Sequence, residues 1–308
     1  MLNLRDYIPA IKYGAVLPLE NLQGAGLLTF GNLYFVHSVS GNDTTNGGTS
    51  PDDALATIDA AIGKCTADQG DTIIVLPGHS ETPTATITMD VAGVTVIGLG
   101  VGSKRPTVTS SNATASVLMS AAGCKLSNIR FALGVATITN AINITADGCE
   151  VENCETIVHA TSQFTNHLTA TDAQFVKIVG NKFQSLETAS SASGIVVDGC
   201  DDLEIVGNDV QGHFTEHALD NITPAGVDEI LRATIAYNKF RNASTTAGDM
   251  AVSLDDNATG FFVQNMLSGG LATTAANYDI GNMASLGSLI VDDAGIDVHG
   301  IALGTAAV

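Results

Sequence analysis

The sequence predicts an all-β fold, a solenoid of short parallel strands stacked coil on coil. Two observations lead there. An asparagine with an apolar residue two places before it recurs at Asn128, Asn153, Asn181, Asn208, Asn238 and Asn265, at spacings of 25, 28, 27, 30 and 27 residues. Each is also preceded by a second strand-like segment and a turn, such as Ile142-Asn143-Ile144 before Gly148-Cys149 and Ile195-Val196-Val197 before Gly199-Cys200. A unit of this size cannot bury its apolar face alone. Stacked on copies of itself, it buries a continuous interior.

The composition of the 308 residues agrees. Ala, Val, Ile and Leu dominate a hydrophobic fraction of 45%, and 32 glycines serve frequent turns. Only 14% of residues are charged, against about 25% in typical soluble domains. The formal net charge is -20, which repels phosphate backbones and argues against nucleic-acid binding. No apolar run approaches the roughly 18 residues a membrane helix needs. Arg5 and Asp6 stand in the first ten residues, and no compact apolar stretch follows, so a secretory signal is not expected and folding in a cytosol is. Five scattered cysteines without a CxxC pair read as free, buried thiols.

Residues 1–37 read as an extended arm. They hold Tyr7, Tyr13, Phe30, Tyr34 and Phe35, five of the 15 aromatics, while Pro9 and Pro18 prevent a long helix. Such an arm either docks onto another molecule or covers the end of its own domain. The polar run from Ser38 to Asn46 is a loop. Ser50-Pro51-Asp52-Asp53 then opens a short amphipathic helix near 51–63, with Ser50 as N-cap and Ala54, Leu55, Ile58, Ala61 and Ile62 as its apolar stripe. Asp71 to Leu76 is a strand closed by Pro77-Gly78.

From there each unit carries two short strands, a tight turn and a longer, variable loop. Alternation sends Val, Ile and Leu inward and Thr, Ser, Asp and Lys outward. The recurring asparagines stack at the turns and hydrogen-bond along the axis, a structural role that suits a residue tolerant of left-handed backbone. Residues 38–283 form the solenoid, and 284–308 form a segment that closes its end or joins a neighbour.

The helix, the run Gly70-Asp71-Thr72-Ile73-Ile74-Val75-Leu76-Pro77-Gly78 and the units ending in Ile-Val-Gly-Asn-like turns resemble the right-handed parallel β-helix, or pectate-lyase-like, superfamily over about residues 34–283. The resemblance implies right-handed coils and a helix that caps the open N-terminal end. The Ser-Gly-Asn-Asp run at 40–43 and Gly47-Gly48 are similar to openings of bacteriophage virion proteins of this fold.

Chemistry is harder to find. The resemblance to polysaccharide lyases implies acidic calcium ligands and a basic residue on one sheet, yet Asp201-Asp202 and Asp255-Asp256 fall at turns, where Asp is expected anyway. His213-Phe214-Thr215-Glu216-His217 matches the H-x-x-E-H zinc pattern, which requires a helix; here it follows Gly212 and reads as a polar outer loop. Phe131, Phe183 and Phe240 recur beside the asparagines, where packing explains them. No catalytic, cofactor or metal residue is assigned.

The expected function is structural: a virion protein, a capsid decoration (cement) protein bound to the major capsid protein on the outer capsid surface and assembled in the host cytoplasm. The resemblance implies a homotrimer. Neither nucleic acid nor membrane is an expected partner. The alternatives are a tailspike polysaccharide depolymerase, with acids from Asp198, Asp220 or Asp255, and a non-catalytic glycan-binding receptor protein. The acidity is uneven: residues 201–308 hold 3 bases against 15 acids, and residues 1–50 hold 2 against 3.

Overall fold

The computed structural model describes residues 31–111, 115–221, 229–246, 248–270, 278–292 and 300–301, with backbone alone at 115, 291, 292, 300 and 301. Tyr7, Tyr13 and Phe30 lie outside the described residues. The chain winds into a right-handed parallel β-solenoid with three sheets. The first runs through ten strands from Leu33–Val36 to Ala284–Leu286. The second runs through eight, from Ile87–Met89 to Tyr278–Ile280. The third runs through ten, from Ser80–Glu81 to Leu289–Asp292 and Gly300–Ile301. Each repeat therefore holds three strands where the sequence suggests two. Strands such as Lys182–Gln184 turn a single apolar residue inward, too little alternation to be read as strands.

The inward residues line up in columns. On the first sheet Ile73, Val96, Leu126, Val151, Ile178, Ile205, Ile235 and Phe262 follow one another coil by coil, all buried. On the third, Phe131, Phe183 and Phe240 stand in the inner column with Val108, Val210, Leu267 and Ile290. Packing explains these phenylalanines, as the sequence suggests.

The asparagine pattern needs a correction. Register pairs Glu152 with Val179, so Asn153 stands opposite Gly180 and Cys154 opposite Asn181. The turn has two distinct positions. The first is left-handed and is filled by Asn128, Asn153, Gly180, Gly207, Tyr237, Gln264 and Gly287, with φ between 49° and 69°. The second is the buried ladder position, held by Cys154, Asn181, Asn208, Asn238, Asn265 and Ser288. Only four of the six asparagines form the ladder. In both sets an apolar residue stands two places earlier, but Leu126 and Val151 point inward while Val179 and Val206 are half-buried outer residues. A one-residue slip exchanges the faces of a strand.

Within the ladder the Nδ2 of Asn181 donates to Asn208 Oδ1 at 3.0 Å, that of Asn208 to Asn238 Oδ1 at 2.9 Å and that of Asn238 to Asn265 Oδ1 at 2.9 Å. Each Oδ1 also accepts a backbone N–H from the preceding coil, beginning with Cys154 and ending where Asn265 N donates to Ser288 Oγ. Asn128 instead donates to the carbonyls of Gly98 and Gly100.

The N-terminal boundary also moves. Tyr34 and Phe35, expected in the arm, belong to the strand Leu33–Val36, paired in parallel with Thr72–Val75. Phe35 is buried with Leu33, Ala54 and Ile74, and the Tyr34 hydroxyl donates to the Lys64 carbonyl. The predicted helix is broken in two. Pro51–Asp53 is a 3-10 turn for which Ser50 supplies no side-chain cap, and the α-helix spans only Ile58–Ile62, capped by Thr57 Oγ1 accepting from Ala60 N. Between them Leu55 is drawn into extended pairing: its N–H donates to Phe35 O, and its carbonyl accepts from His37 N. Asp43 holds this break open by accepting from the N–H groups of Ala56 and Thr57. Ile58, Ala61 and Ile62 are buried in the main core. At the other end, Ala284–Leu286 and Leu289–Asp292 are regular parallel strands of the last coil, and Gly300–Ile301 returns antiparallel.

Candidate functional site

Coil stacking brings one group of ionisable side chains together. The strand Ser193–Asp198 pairs with Leu219–Asp220, placing Val196 opposite Asp220. The H-x-x-E-H segment stacks on the preceding coil through Thr215 N to Ser191 O and Glu216 N to Ala192 O, both 2.9 Å. It is not simply an outer loop: Phe214 is fully buried, and the segment is not a helix. Among the described residues no group of three or more His, Cys, Asp or Glu side chains is placed to hold a metal ion.

Ser193 Oγ lies 2.8 Å from Asp220 Oδ2, to which it donates, and 3.4 Å from Glu216 Oε2. His217 Nδ1 accepts the Met250 N–H at 3.0 Å, which puts the proton of the neutral ring on Nε2, 3.9 Å from Asp220 Oδ1. Burial pushes the Asp220 carboxyl above the usual range, and the Glu216 carboxyl adds to this, against the attraction of His217 and the Ser193 hydrogen bond. A carboxyl so placed holds a proton to higher pH than an ordinary Asp. Its charged form is penalised only in the folded state, so its contribution to stability falls as pH rises through the folded pKa. Asp220→Asn is therefore expected to raise the melting temperature at pH 7.5 and not at pH 4. Melting curves at the two values check this, and an equal change at both would refute it.

The other acids considered from sequence do not join this group. Asp255 sits in a turn, where its Oδ1 accepts from Asn257 N at 2.7 Å, and Asp198 lies two residues beyond Val196 on the neighbouring strand. Asp201 and Asp202 both bind Arg232, at 3.2 and 2.7 Å. Burial pushes the Cys154 thiol up to about 12 and the Cys149 thiol to about 11, so these are unreactive side chains of the interior. All five cysteines are free, with Cys65 half-buried and the others buried. A groove of about 400 Å³ runs beside the helix, lined by Ser38, Thr57, Asp59, Glu81 and residues 82–87. His79 and Glu81 are committed next to it: Glu81 Oε2 accepts from Ile58 N and lies 3.0 Å from His79 Nε2.

Two surface features escaped the sequence reading. First, charges alternate along outer columns: Lys125, Glu150, Lys177 and Glu204 on the first sheet, and Arg130, Glu155, Lys182, Asp209 and Lys239 on the third. Lys125 reaches Glu150 and Glu152 at 2.9 and 2.7 Å, and Glu155 binds both Arg105 and Arg130. The repeat spacing carries this signal, since successive members stand 25 to 30 residues apart. Second, the columns turn apolar near the C-terminal end. Tyr237, in the turn itself, and Phe261, Met266, Leu286 and Leu289, on the strands either side of it in the last coils, are 45% to 69% exposed, with Met266 paired to Leu289 and Val263 to Leu286.

A scan against protein-family models finds no match, and a search of curated proteins finds none. Solved structures do match. A pectin methylesterase from Aspergillus niger, in deglycosylated form, is 15% identical, with 90% of each chain covered and a TM-score of 0.53. A rhamnogalacturonan lyase is 13% identical over 88% of this chain and 90% of that one, with a TM-score of 0.47. ORF18 of Geobacillus virus E2 is 11% identical over 89% of this chain and 63% of that one, with a TM-score of 0.43. The fold of this chain is the parallel β-helix shared with pectin methylesterase.

Proposed function

We propose that this chain is a structural protein of a bacteriophage virion, a decoration protein that binds the major capsid protein on the outer capsid surface. The observation that carries this reading is the exposed apolar group Tyr237, Phe261, Met266, Leu286 and Leu289 on an otherwise strongly acidic chain. Contiguous apolar surface of that kind on a soluble protein marks a protein-binding face. The charge columns support it as well, because at least five of the twelve Lys and Arg residues are tied to acids, mostly as staples between coils. In this reading the helix Ile58–Ile62 closes the N-terminal end, residues 1–30 with Tyr7, Tyr13 and Phe30 form a second docking element, and the particle-bound form is a trimer.

Cryo-EM of virions is expected to find the chain in many copies on the capsid. Phe261→Glu/Leu286→Glu should stay folded and lose particle binding. A few copies at the tail, or a double variant that still decorates, would overturn the proposal.

A second reading rests on Asp220. A buried, proton-holding carboxyl beside Glu216 and His217 is the kind of group that serves as a general acid in glycan cleavage. Release of reducing ends from a panel of acidic polysaccharides, abolished in Asp220→Ala, would favour it over the structural role.

A further inference from the structure

The groove beside the helix Ile58–Ile62 forms where the first coil crosses between sheets. The chain leaves the strand Ser80–Glu81, passes through 82–86 without regular structure and enters the strand Ile87–Met89. Between this crossing and the start of the helix lies a space of about 400 Å³, within the range of small-ligand sites, roughly 300–1,000 Å³. Ala56, Pro83 and Ile87 give it apolar wall, and Asp59 and Glu81 bring two carboxylates. No Lys or Arg side chain is among its lining.

Glu81 gives the groove its chemistry. Its side chain is only 7% exposed. One oxygen, Oε2, is fully engaged: it accepts the Ile58 N–H at 3.0 Å and lies 3.0 Å from His79 Nε2. His79 Nδ1 accepts the Ser38 N–H at 3.0 Å, which puts the proton of the neutral ring on Nε2, towards that same oxygen. The other oxygen, Oε1, has no partner among the described residues and is not sealed inside the protein, so it opens on the groove. Asp59 stands on the exposed side of the helix, where its Oδ1 takes a long 3.4 Å hydrogen bond from Thr88 N. A carboxylate held this deep favours a donor of opposite charge at its open oxygen.

We propose that the groove binds an alkylammonium group, the end of a lysine side chain or of a small aliphatic amine. The nitrogen sits on Glu81 Oε1 and faces Asp59, and the stem lies along Ala56, Pro83 and Ile87. An ammonium is a compact charge with three donors, so one open oxygen and a second carboxylate suit it. A guanidinium gains most from a carboxylate that offers both oxygens, and Glu81 offers one. The apolar walls take the methylene stem. The same two carboxylates repel acidic ligands. The site lies at the opposite end of the solenoid from Tyr237 and Phe261 and stands independently of any capsid binding.

Titration of the full-length protein with Nα-acetyl-lysine N-methylamide, followed by amide NMR shifts, tests it. Shifts are expected at Thr57, Asp59 and the amides of 82–87. Acetylating the probe at Nε removes the charge and keeps the stem, and should weaken binding by roughly tenfold or more. The corresponding arginine probe should bind more weakly than the lysine one. Glu81→Gln should weaken lysine-probe binding by roughly tenfold, and Asp59→Asn by roughly threefold. Asp59 is exposed, so its variant keeps the fold even if Glu81→Gln loosens the helix. Asp256→Asn, at an exposed acid of a distant turn, should change nothing. Tighter binding of 1,4-diaminobutane than of the lysine probe would support the site and make a free amine its occupant; the reverse order would support it with a protein side chain. The proposal is overturned by equal binding of the acetylated probe, by tighter binding of the arginine probe or by full affinity in both groove variants. It is equally overturned by the same loss in Asp256→Asn, or by no shifts up to about 10 mM probe.

Discussion

Asn208→Ala is expected to destabilise the protein by about 3–5 kcal/mol, through several buried groups losing partners at once. The Asn208 Nδ2 donates to Ile178 O at 2.7 Å and to Asn238 Oδ1, and its Oδ1 accepts from both N and Nδ2 of Asn181. The residue is 1% exposed, so water replaces none of these without opening the coil. Asn153→Gly is the control. Asn153 is exposed and has φ of 53°, a conformation glycine adopts without strain, and its backbone N–H still reaches Val179 O. That change should cost under about 1 kcal/mol. Equilibrium urea unfolding of the two variants separates the readings; similar losses would mean that all six asparagines act alike.

The second large effect is acid lability from His167. This ring is 2% exposed, sits among Phe164, Phe183 and Phe214, and meets Thr156 Oγ1 and Ser191 Oγ at 2.8 and 3.0 Å. Desolvation lowers its pKa to about 3, so the folded chain keeps it neutral where the unfolded chain protonates it. The unfolded state then binds more protons between about pH 6.5 and 3, and stability falls as pH falls through that window. By pH 4 this one residue should have cost about 3 kcal/mol relative to neutral pH. His167→Gln is expected to be less stable than the parent at pH 7.5, yet to lose less on acidification. Unfolding free energies from pH 7.5 to pH 4 check this, and parallel curves for the two proteins would refute it.

The solenoid was legible because its interior repeats: Ile178, Ile205 and Ile235 return at nearly constant spacing, and nothing but stacking explains that. The fine register was not. Asparagine suits both the left-handed turn position and the ladder position beside it, so Asn128 and Asn153 merge with Asn181 in any pattern that ignores which face is buried. The short helix misled for a related reason. Ser50-Pro51 has the chemistry of a helix start, but the pairing of Leu55 with Phe35 and His37, residues far earlier in the chain, pulls the backbone out of the helix. Of the Ser193–Glu216–His217–Asp220 group, Glu216, His217 and Asp220 stand within five residues and are singled out by the sequence, but Ser193, which ties the carboxyls together, is not. Ser193 is 27 residues from Asp220 and meets it only because one coil sits on another.

The ladder and the charge columns divide the rod between them. Ion pairs between coils run from Arg105 to Arg232, most of them in the early coils, while the amide ladder links Cys154 to Ser288. Every amide in the ladder points the same way, so its dipoles add along the axis, and Ser288 ends the chain of acceptors. Salt weakens the first kind of bond and leaves the buried second kind nearly untouched. Ionic strength therefore acts on the outer ion pairs and not on the buried amide chain, which runs beneath the later of them from Cys154 to Ser288.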